Sequence, residues 1–227
     1  MTAEGKLFIV ATPIGNLEDI TLRALRVLRE ADLIAAEDTR RTATLLGHYE
    51  IRKPLVSYHE FNEARRANEL LQKLRDGQRV ALVSDAGMPL LSDPGLRLLR
   101  AVLEANLPVE VIPGPSALTA ALAVSGMATV PFLFHGFLPH KSSQRRRLLA
   151  QLAPLPYTLV FFESPYRIQK TLAEIEESLG DRQVVVAREL TKKFEEILRG
   201  RVSVLRKSLE KRTIKGEITL LVEGQTQ

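Results

Sequence analysis

Residues 83–95 read VSDAGMPLLSDPG and follow the plain apolar run RVAL at 79–82. A buried strand that ends in two acids, two glycines and two prolines before the next helical pattern is a strand-to-helix connection with a closely prescribed backbone. Gly87 and Gly95 permit positive φ or a close approach of ligand to main chain, while Pro89 and Pro94 hold their neighbours in extended or helix-starting shapes. Asp93 stands where a helix N-cap is expected.

On either side of this stretch, short apolar runs alternate with longer amphipathic ones. KLFIVA from Lys6 reads as a strand, and DITLRALRVLREA from Asp19 as a helix with Ile20, Leu22, Leu25, Val27 and Leu28 on its apolar stripe. DLIAAED is a strand, RRTATLLG a short helix, and NEARRANELLQKLRDG a helix stopped at Gly77. After RVALVSD come the helix PGLRLLRAVLEAN, the strand VEVIPG and the small-residue helix SALTAALAVSG. This alternation predicts a largely parallel sheet that binds its ligand at the carboxyl ends of the strands.

Composition shifts near GMATVPF, which places a domain junction there and gives domains 1–126 and 127–227. The second holds four strand candidates, FLFHGFL, YTLVFFE, RQVVVARE and EITLLVE, with helices SQRRRLLAQL, RIQKTLAEIEESLG and VSVLRKSLEK between them. RELTKKFEEILRG is too short for a full crossover, so antiparallel strands are expected at the end. The fold class is α/β, as two α/β domains with a cleft between them.

Two more strand ends carry proline and glycine: VATPIGNLED with Pro13 and Gly15, and VIPGPSALT with Pro113, Gly114, Pro115 and Ser116. Three such loops are expected to converge on one crevice. The chain lacks the phosphate-cradling G-x-x-x-x-G-K-[ST] and a G-x-G-x-x-G after its first strand, and these loops hold no lysine placed to meet phosphates. A small ligand with hydrogen-bonding edges suits them better, and S-adenosylmethionine stands on that shortlist beside other small metabolites.

The 227 residues, 45% hydrophobic and 26% charged, suffice for a substantial core. The absence of cysteine excludes disulfides, thiolate catalysis, zinc-thiolate sites and iron–sulfur clusters. No apolar run approaches the roughly 20 residues of a membrane span and the N-terminus lacks a signal pattern, so a cytoplasmic protein is expected, with no membrane partner. The net charge of +5 is concentrated in KSSQRRR at 141–147 and in residues 188–215, where ten basic residues face four acidic ones. Such clusters favour a polyanionic partner.

The stretches LFIVATPIGNLEDITLRAL, AEDTR, SYHEFNE, LVSDAGMPLLSDPG, VIPGPSA, FFESPYR, ARELTKKFEE and KGEITLLVEG together resemble the tetrapyrrole methylase superfamily, and within it the branch acting on ribosomal RNA. The resemblance covers nearly the whole chain. It implies two α/β domains with S-adenosylmethionine in the inter-domain cleft, a homodimer, and 2'-O-methylation of a cytidine in the decoding region of 16S rRNA. The substrate would be that RNA or the small ribosomal subunit. Asn16 stands where the tetrapyrrole enzymes usually carry Asp, and Gly87-Met88-Pro89 where they usually show Gly-Asp-Pro. Both departures remove a carboxylate and favour the ribosomal branch.

The resemblance implies a cofactor wall of Pro13, Asp85, Gly87, Met88, Ser92, Pro113 and Ser116, with Phe162, Leu190 and Gly216 from the second domain. Candidates for handling the acceptor hydroxyl are Asp38 and Arg40 in AEDTR and Arg188, Glu189 and Lys192 in RELTK. EDTRR also reads as a helix start capped by Asp38 or Thr39. His59 and Glu60 lack partners at ligand spacing, so no metal site is expected. RNA phosphates are expected at Arg145, Arg146, Arg147, Lys192, Lys193, Arg206, Lys207, Lys211 and Arg212, and base stacking at Tyr166, Phe162 or Tyr58. Two other readings stay open: a methyltransferase acting on a tetrapyrrole or other small molecule, and a noncatalytic RNA-binding protein.

Overall fold

A computed structural model describes residues 5–225, which divide between Ser116 and Ala117 into two compact units. In the first, five strands lie in the order β3-β2-β4-β1-β5: β1 Lys6–Val10, β2 Leu33–Ala36, β3 Leu55–Ser57, β4 Arg79–Val83 and β5 Val109–Ile112. Every pairing is parallel. The connections carry α1 Leu22–Glu30, α2 Thr39–His48, α3 Glu63–Arg75 and α4 Leu96–Glu104.

Side chains alternate across this sheet. Phe8, Val10, Ile34, Ala36, Ala81 and Val83 pack with α1 and α2 on one face, while Leu7, Ile9, Leu33, Ala35, Val80 and Leu82 pack with α3 and α4 on the other. Burial on both faces explains the near-continuous apolar runs. It also means that β1 leads to a helix on one face and its neighbour β4 to a helix on the opposite face. The chain therefore splays apart at the carboxyl ends of these two strands, which is where open α/β sheets bind ligands.

The second unit contains a mixed sheet in the order β6-β7-β10-β8-β9. Its strands are β6 Phe132–Phe137, β7 Thr158–Glu163, β8 Gln183–Arg188, β9 Glu196–Arg201 and β10 Ile218–Val222. β6 and β7 are parallel, β10 runs antiparallel between β7 and β8, and β8 and β9 form a hairpin. Helices α6 Ser142–Leu152, α7 Ile168–Leu179 and α8 Val202–Leu209 bury Leu149, Leu172, Ile175 and Leu205 against it.

The four strands expected in the second half are present, as is the antiparallel ending. β3 and β9 have no counterpart in the sequence reading, because β3 is three half-buried residues and β9, EILRGR, follows charged KKFE without an apolar run of its own. α1 starts later than Asp19: residues 17–19 form a 3₁₀ turn capped by Asn16, and the Thr21 hydroxyl caps α1 by accepting from the Ala24 N–H at 3.0 Å. Leu22 then points outward at 86% exposure, while Ile20, Leu25, Val27 and Leu28 are buried. Helix α5, Ala117–Ser125, which the sequence reading placed in the first domain, packs on β10 and so groups with the second unit.

Candidate active site

Three proline-glycine loops leave the first sheet from β1, β4 and β5, and they meet. The Thr12 N–H donates to the Gly87 carbonyl at 2.9 Å and the Gly87 N–H to the Thr12 carbonyl at 3.0 Å. Gly87 has φ +84°, and a Cβ there would lie 3.3 Å from the Ile14 side chain and 3.7 Å from the Pro115 carbonyl oxygen. Gly114 approaches the β1 loop as closely, since a Cβ on it would stand 2.9 Å from Ala11 Cβ. All three loops thus touch at a floor only glycine backbone can form.

The loop of residues 84–95 is unusually demanding. Gly87, Leu90, Ser92 and Gly95 all have positive φ, the two non-glycine residues at +74° and +69°. Such backbone costs about 1–3 kcal/mol per residue and persists only where surroundings enforce it, most often at functional sites. Of the expected cofactor wall, Pro13 and Gly87 are buried, Asp85, Met88 and Ser116 half-buried, and Ser92 and Pro113 exposed. Asp93 does not cap α4: Gly95 occupies the cap position. The capping acceptor is Glu63 Oε1 from α3, which takes the N–H groups of Gly95 and Arg97 at 3.2 and 3.3 Å and the Tyr58 hydroxyl at 3.0 Å.

Acids collect where the β2 and β4 loops meet. Asp85 accepts from the Asp38 N–H at 2.9 Å and pairs with Arg41 at 3.3 Å. Burial, with the Glu37 and Asp85 charges beside it, pushes the Asp93 carboxyl up to about 6 against the pull of the Ser84 hydroxyl. Burial and Asp85 likewise raise Glu37. Sequence reasoning missed Glu37 and Asp93 as members of this cluster, because only the pairing of β2 with β4 brings them together.

Asp38 is the N-cap of α2, accepting from the Arg40 N–H at 2.9 Å and holding the Arg40 guanidinium in a fork at 3.1 and 2.7 Å. Those bonds hold its carboxyl far below the usual range. In the second unit, Arg188 pairs with Glu196 at 3.2 Å and donates to the Phe194 and Lys215 carbonyls. The Glu189 carboxylate lies directly against Gly216 and accepts from Lys192 Nζ at 2.8 Å and the Glu217 N–H at 3.0 Å. Burial alone would raise Glu189, but these donors outweigh it and lower it; the same contacts raise Lys192 against burial. Lys192 is thus a fixed cation. Leu190 is buried beyond β8, and Phe162 on β7 is half-buried against Phe134 and Phe137.

The expected RNA contacts divide. Arg145 is 1% exposed: its guanidinium pairs with buried Glu174 and donates to the Pro139 carbonyl at 2.8 Å. It is a core residue, not a phosphate contact. Arg146, Arg206 and Arg212 pair with Glu177, Glu176 and Glu196. No ion pair is found among the described residues for Arg147, Lys193, Lys207 or Lys211. Tyr58 is fully buried and cannot stack a base, whereas Tyr166 is 94% exposed.

Residues 6–205 match the family model of Tetrapyrrole (Corrin/Porphyrin) Methylases. The chain belongs to the tetrapyrrole methylase family. Within it, the sequence is 53% identical over 221 residues to the Ribosomal RNA small subunit methyltransferase I of Thermotoga maritima, covering 97% of this chain and 99% of the relative. The protein of the same name from Pasteurella multocida is 50% identical, over 98% of this chain and 80% of that protein. Among solved structures, this tetrapyrrole methylase resembles a diphthine synthase with TM-score 0.76 at 17% identity, covering 98% of this chain and 90% of that one. It also resembles uroporphyrin III C-methyltransferase from Thermus thermophilus with TM-score 0.68 at 20% identity, over 97% and 98% of the two chains. These structural likenesses share the fold.

Proposed function

We propose that this tetrapyrrole methylase is a small-subunit rRNA methyltransferase that uses S-adenosylmethionine to methylate a ribose 2'-hydroxyl, that of a cytidine in the decoding region of 16S rRNA. The observation that carries the reading is about half identity, along nearly the whole chain, to relatives named for small-subunit rRNA methylation. The chain's departures at Asn16 and Met88 agree with it, since neither position offers a carboxylate.

The first unit's crevice fits the cofactor. Its floor is glycine backbone, its rim offers the main chain of exposed Pro113 and Gly114, and Glu37, Asp85 and Asp93 place negative charge nearby. A cation carrying an ammonium and a sulfonium is favoured beside those acids, whereas a polyphosphate would be repelled. Pro13, Asp85, Gly87, Met88, Ser92, Pro113 and Ser116 would hold it. When bound, the cofactor supplies an electrophilic methyl group.

With it bound, the ribose oxygen would take that methyl group as the carbon–sulfur bond broke, the hydroxyl proton passing to a base or to water. Most of the acceleration is assigned to alignment, which contributes several kcal/mol when reacting atoms are held about 3–3.5 Å apart. Arg40, Arg188 and Lys192 orient RNA phosphates in this reading, with Asp38 and Glu189 fixing the cations. Arg147, Lys193, Lys207 and Lys211 supply salt-sensitive affinity without sequence preference. The protein works in the cytoplasm as a homodimer, and the exposed Phe132 and Phe137 of edge strand β6 offer apolar surface for a second copy.

The deciding experiment presents methyl-labelled S-adenosylmethionine and the enzyme with naked 16S rRNA, small subunits lacking the modification, and a uroporphyrin-type substrate. Label on a cytidine 2'-oxygen is expected; label on the porphyrin alone would refute the reading. Calorimetry with S-adenosylmethionine detects the remaining alternative, an RNA-binding protein without cofactor.

A further inference from the structure

The loop between β3 and α3 holds an aromatic ring in water. Phe61 is 94% exposed in the stretch SYHEFNE, and its immediate neighbours Glu60 and Asn62 are polar. The loop itself is firmly built. The Tyr58 N–H donates to the Ala36 carbonyl at 2.8 Å, and Tyr58 fills the core beneath, its hydroxyl on Glu63. The Asn62 side chain accepts from the His59 N–H at 2.9 Å and donates to the Ser57 carbonyl and hydroxyl at 3.2 Å. Of the two aromatic rings on this loop, Tyr58 is buried and Phe61 stands in solvent.

The loop that carries this ring is joined to the neighbouring strand-end loops. Glu63 joins its loop to the start of α4, and the β2 loop beside it carries Asp38, whose N–H is held by Asp85. The His59 ring lies 6.1 Å from the Phe61 ring, centroid to centroid. Exposed guanidinium groups lie on the same edge of the sheet: Arg40 and Arg41 in the first turn of α2, paired with Asp38 and Asp85, Arg65 in the first turn of α3, paired with Glu69, and Arg97 in the first turn of α4.

We infer that Phe61 stacks on an unpaired base of the RNA strand that carries the acceptor ribose, with these arginines meeting the adjoining phosphates. The inference rests on the rRNA reading above and names a contact that fixes the strand relative to the crevice. An exposed ring on a hydrogen-bonded loop, at the sheet edge that also carries these guanidinium groups, suits a nucleotide, which offers a flat apolar face and a negative charge within one residue. A protein partner would instead call for a contiguous apolar patch.

The test compares the wild type with Phe61→Ala and Phe61→Trp, using methyl-labelled S-adenosylmethionine and small subunits lacking the modification. Loss of one base–aromatic stack raises KM for the RNA by roughly 5- to 150-fold in Phe61→Ala, with S-adenosylmethionine affinity unchanged and Phe61→Trp near wild type. A wild-type KM for RNA in Phe61→Ala, with the wild type active, overturns the stacking contact and leaves the rRNA reading standing. A wild type that transfers nothing to the RNA overturns both. A shift of Phe61→Ala from dimer to monomer in sedimentation would assign the ring to an interface between copies and overturn the inference.

Discussion

Thr12 and Gly87, on loops leaving neighbouring parallel strands for opposite faces of the sheet, exchange both main-chain hydrogen bonds at 2.9 and 3.0 Å. This single antiparallel bridge closes the point where β1 and β4 diverge. The buried Thr12 hydroxyl reinforces it by donating to the Ser84 carbonyl at 3.2 Å. The floor where these loops meet is therefore set by backbone, and side chains added to it are felt directly.

Gly87→Arg is expected to abolish S-adenosylmethionine binding, because its side chain must leave a floor already 3.3 Å from Ile14 by entering the crevice. The strain of φ +84° in a non-glycine residue should cost about 1–2 kcal/mol of stability, too little to unfold a typical domain. Calorimetry for affinity and circular dichroism for fold check this; unchanged affinity would contradict the placement.

Asp93 has a folded pKa of about 6, above its usual 3.8. The protonated carboxyl is thus preferred in the folded state, so its contribution to stability is complete below about pH 4 and is lost as pH rises to about 6. Asp93→Asn should remove that loss, stabilising the protein by about 1–3 kcal/mol at pH 7.5 and by little at pH 4. Urea denaturation at the two pH values measures the difference, and equal gains at both would be inconsistent with it.

Arg145→Ala strips Glu174 of its buried partner and should cost about 3–5 kcal/mol, seen as a sharply lower Tm. Replacing both by apolar residues, Arg145→Met with Glu174→Leu, should recover most of the loss. Arg146→Ala, exposed one residue away, should change stability by no more than about 0.5 kcal/mol. Equal effects at 145 and 146 would restore the surface role first expected of both.

Substituting Lys207 and Lys211 by Ala should leave Tm unchanged and flatten the dependence of RNA affinity on salt. Each phosphate that no longer meets a lysine takes about 0.7–0.9 off the slope of log K against log salt. Filter binding at several salt concentrations reads this directly, and an unaltered slope would exclude these two lysines.

Legibility differed by kind of interaction. β1 and β4 announce themselves because strands buried on both faces are continuously apolar, and the three loops because proline and glycine record backbone demands locally. Arg145 reads in sequence as part of a charge run, although Arg145, Leu149 and Leu152 share one helical face at spacings of four and seven. That periodicity is the available signal, and it points the guanidinium inward. Glu37 and Asp93 leave no such mark, since what makes them a cluster is the registry of two strands far apart in sequence.

The single oxygen Oε1 of Glu63 serves Tyr58, Gly95 and Arg97 together. Amide hydrogens at 95 and 97 should therefore exchange with solvent in step with the Tyr58 region, as one opening event rather than two. A Glu63→Gln protein, with its acceptor weakened, would show that shared protection falling at both places at once.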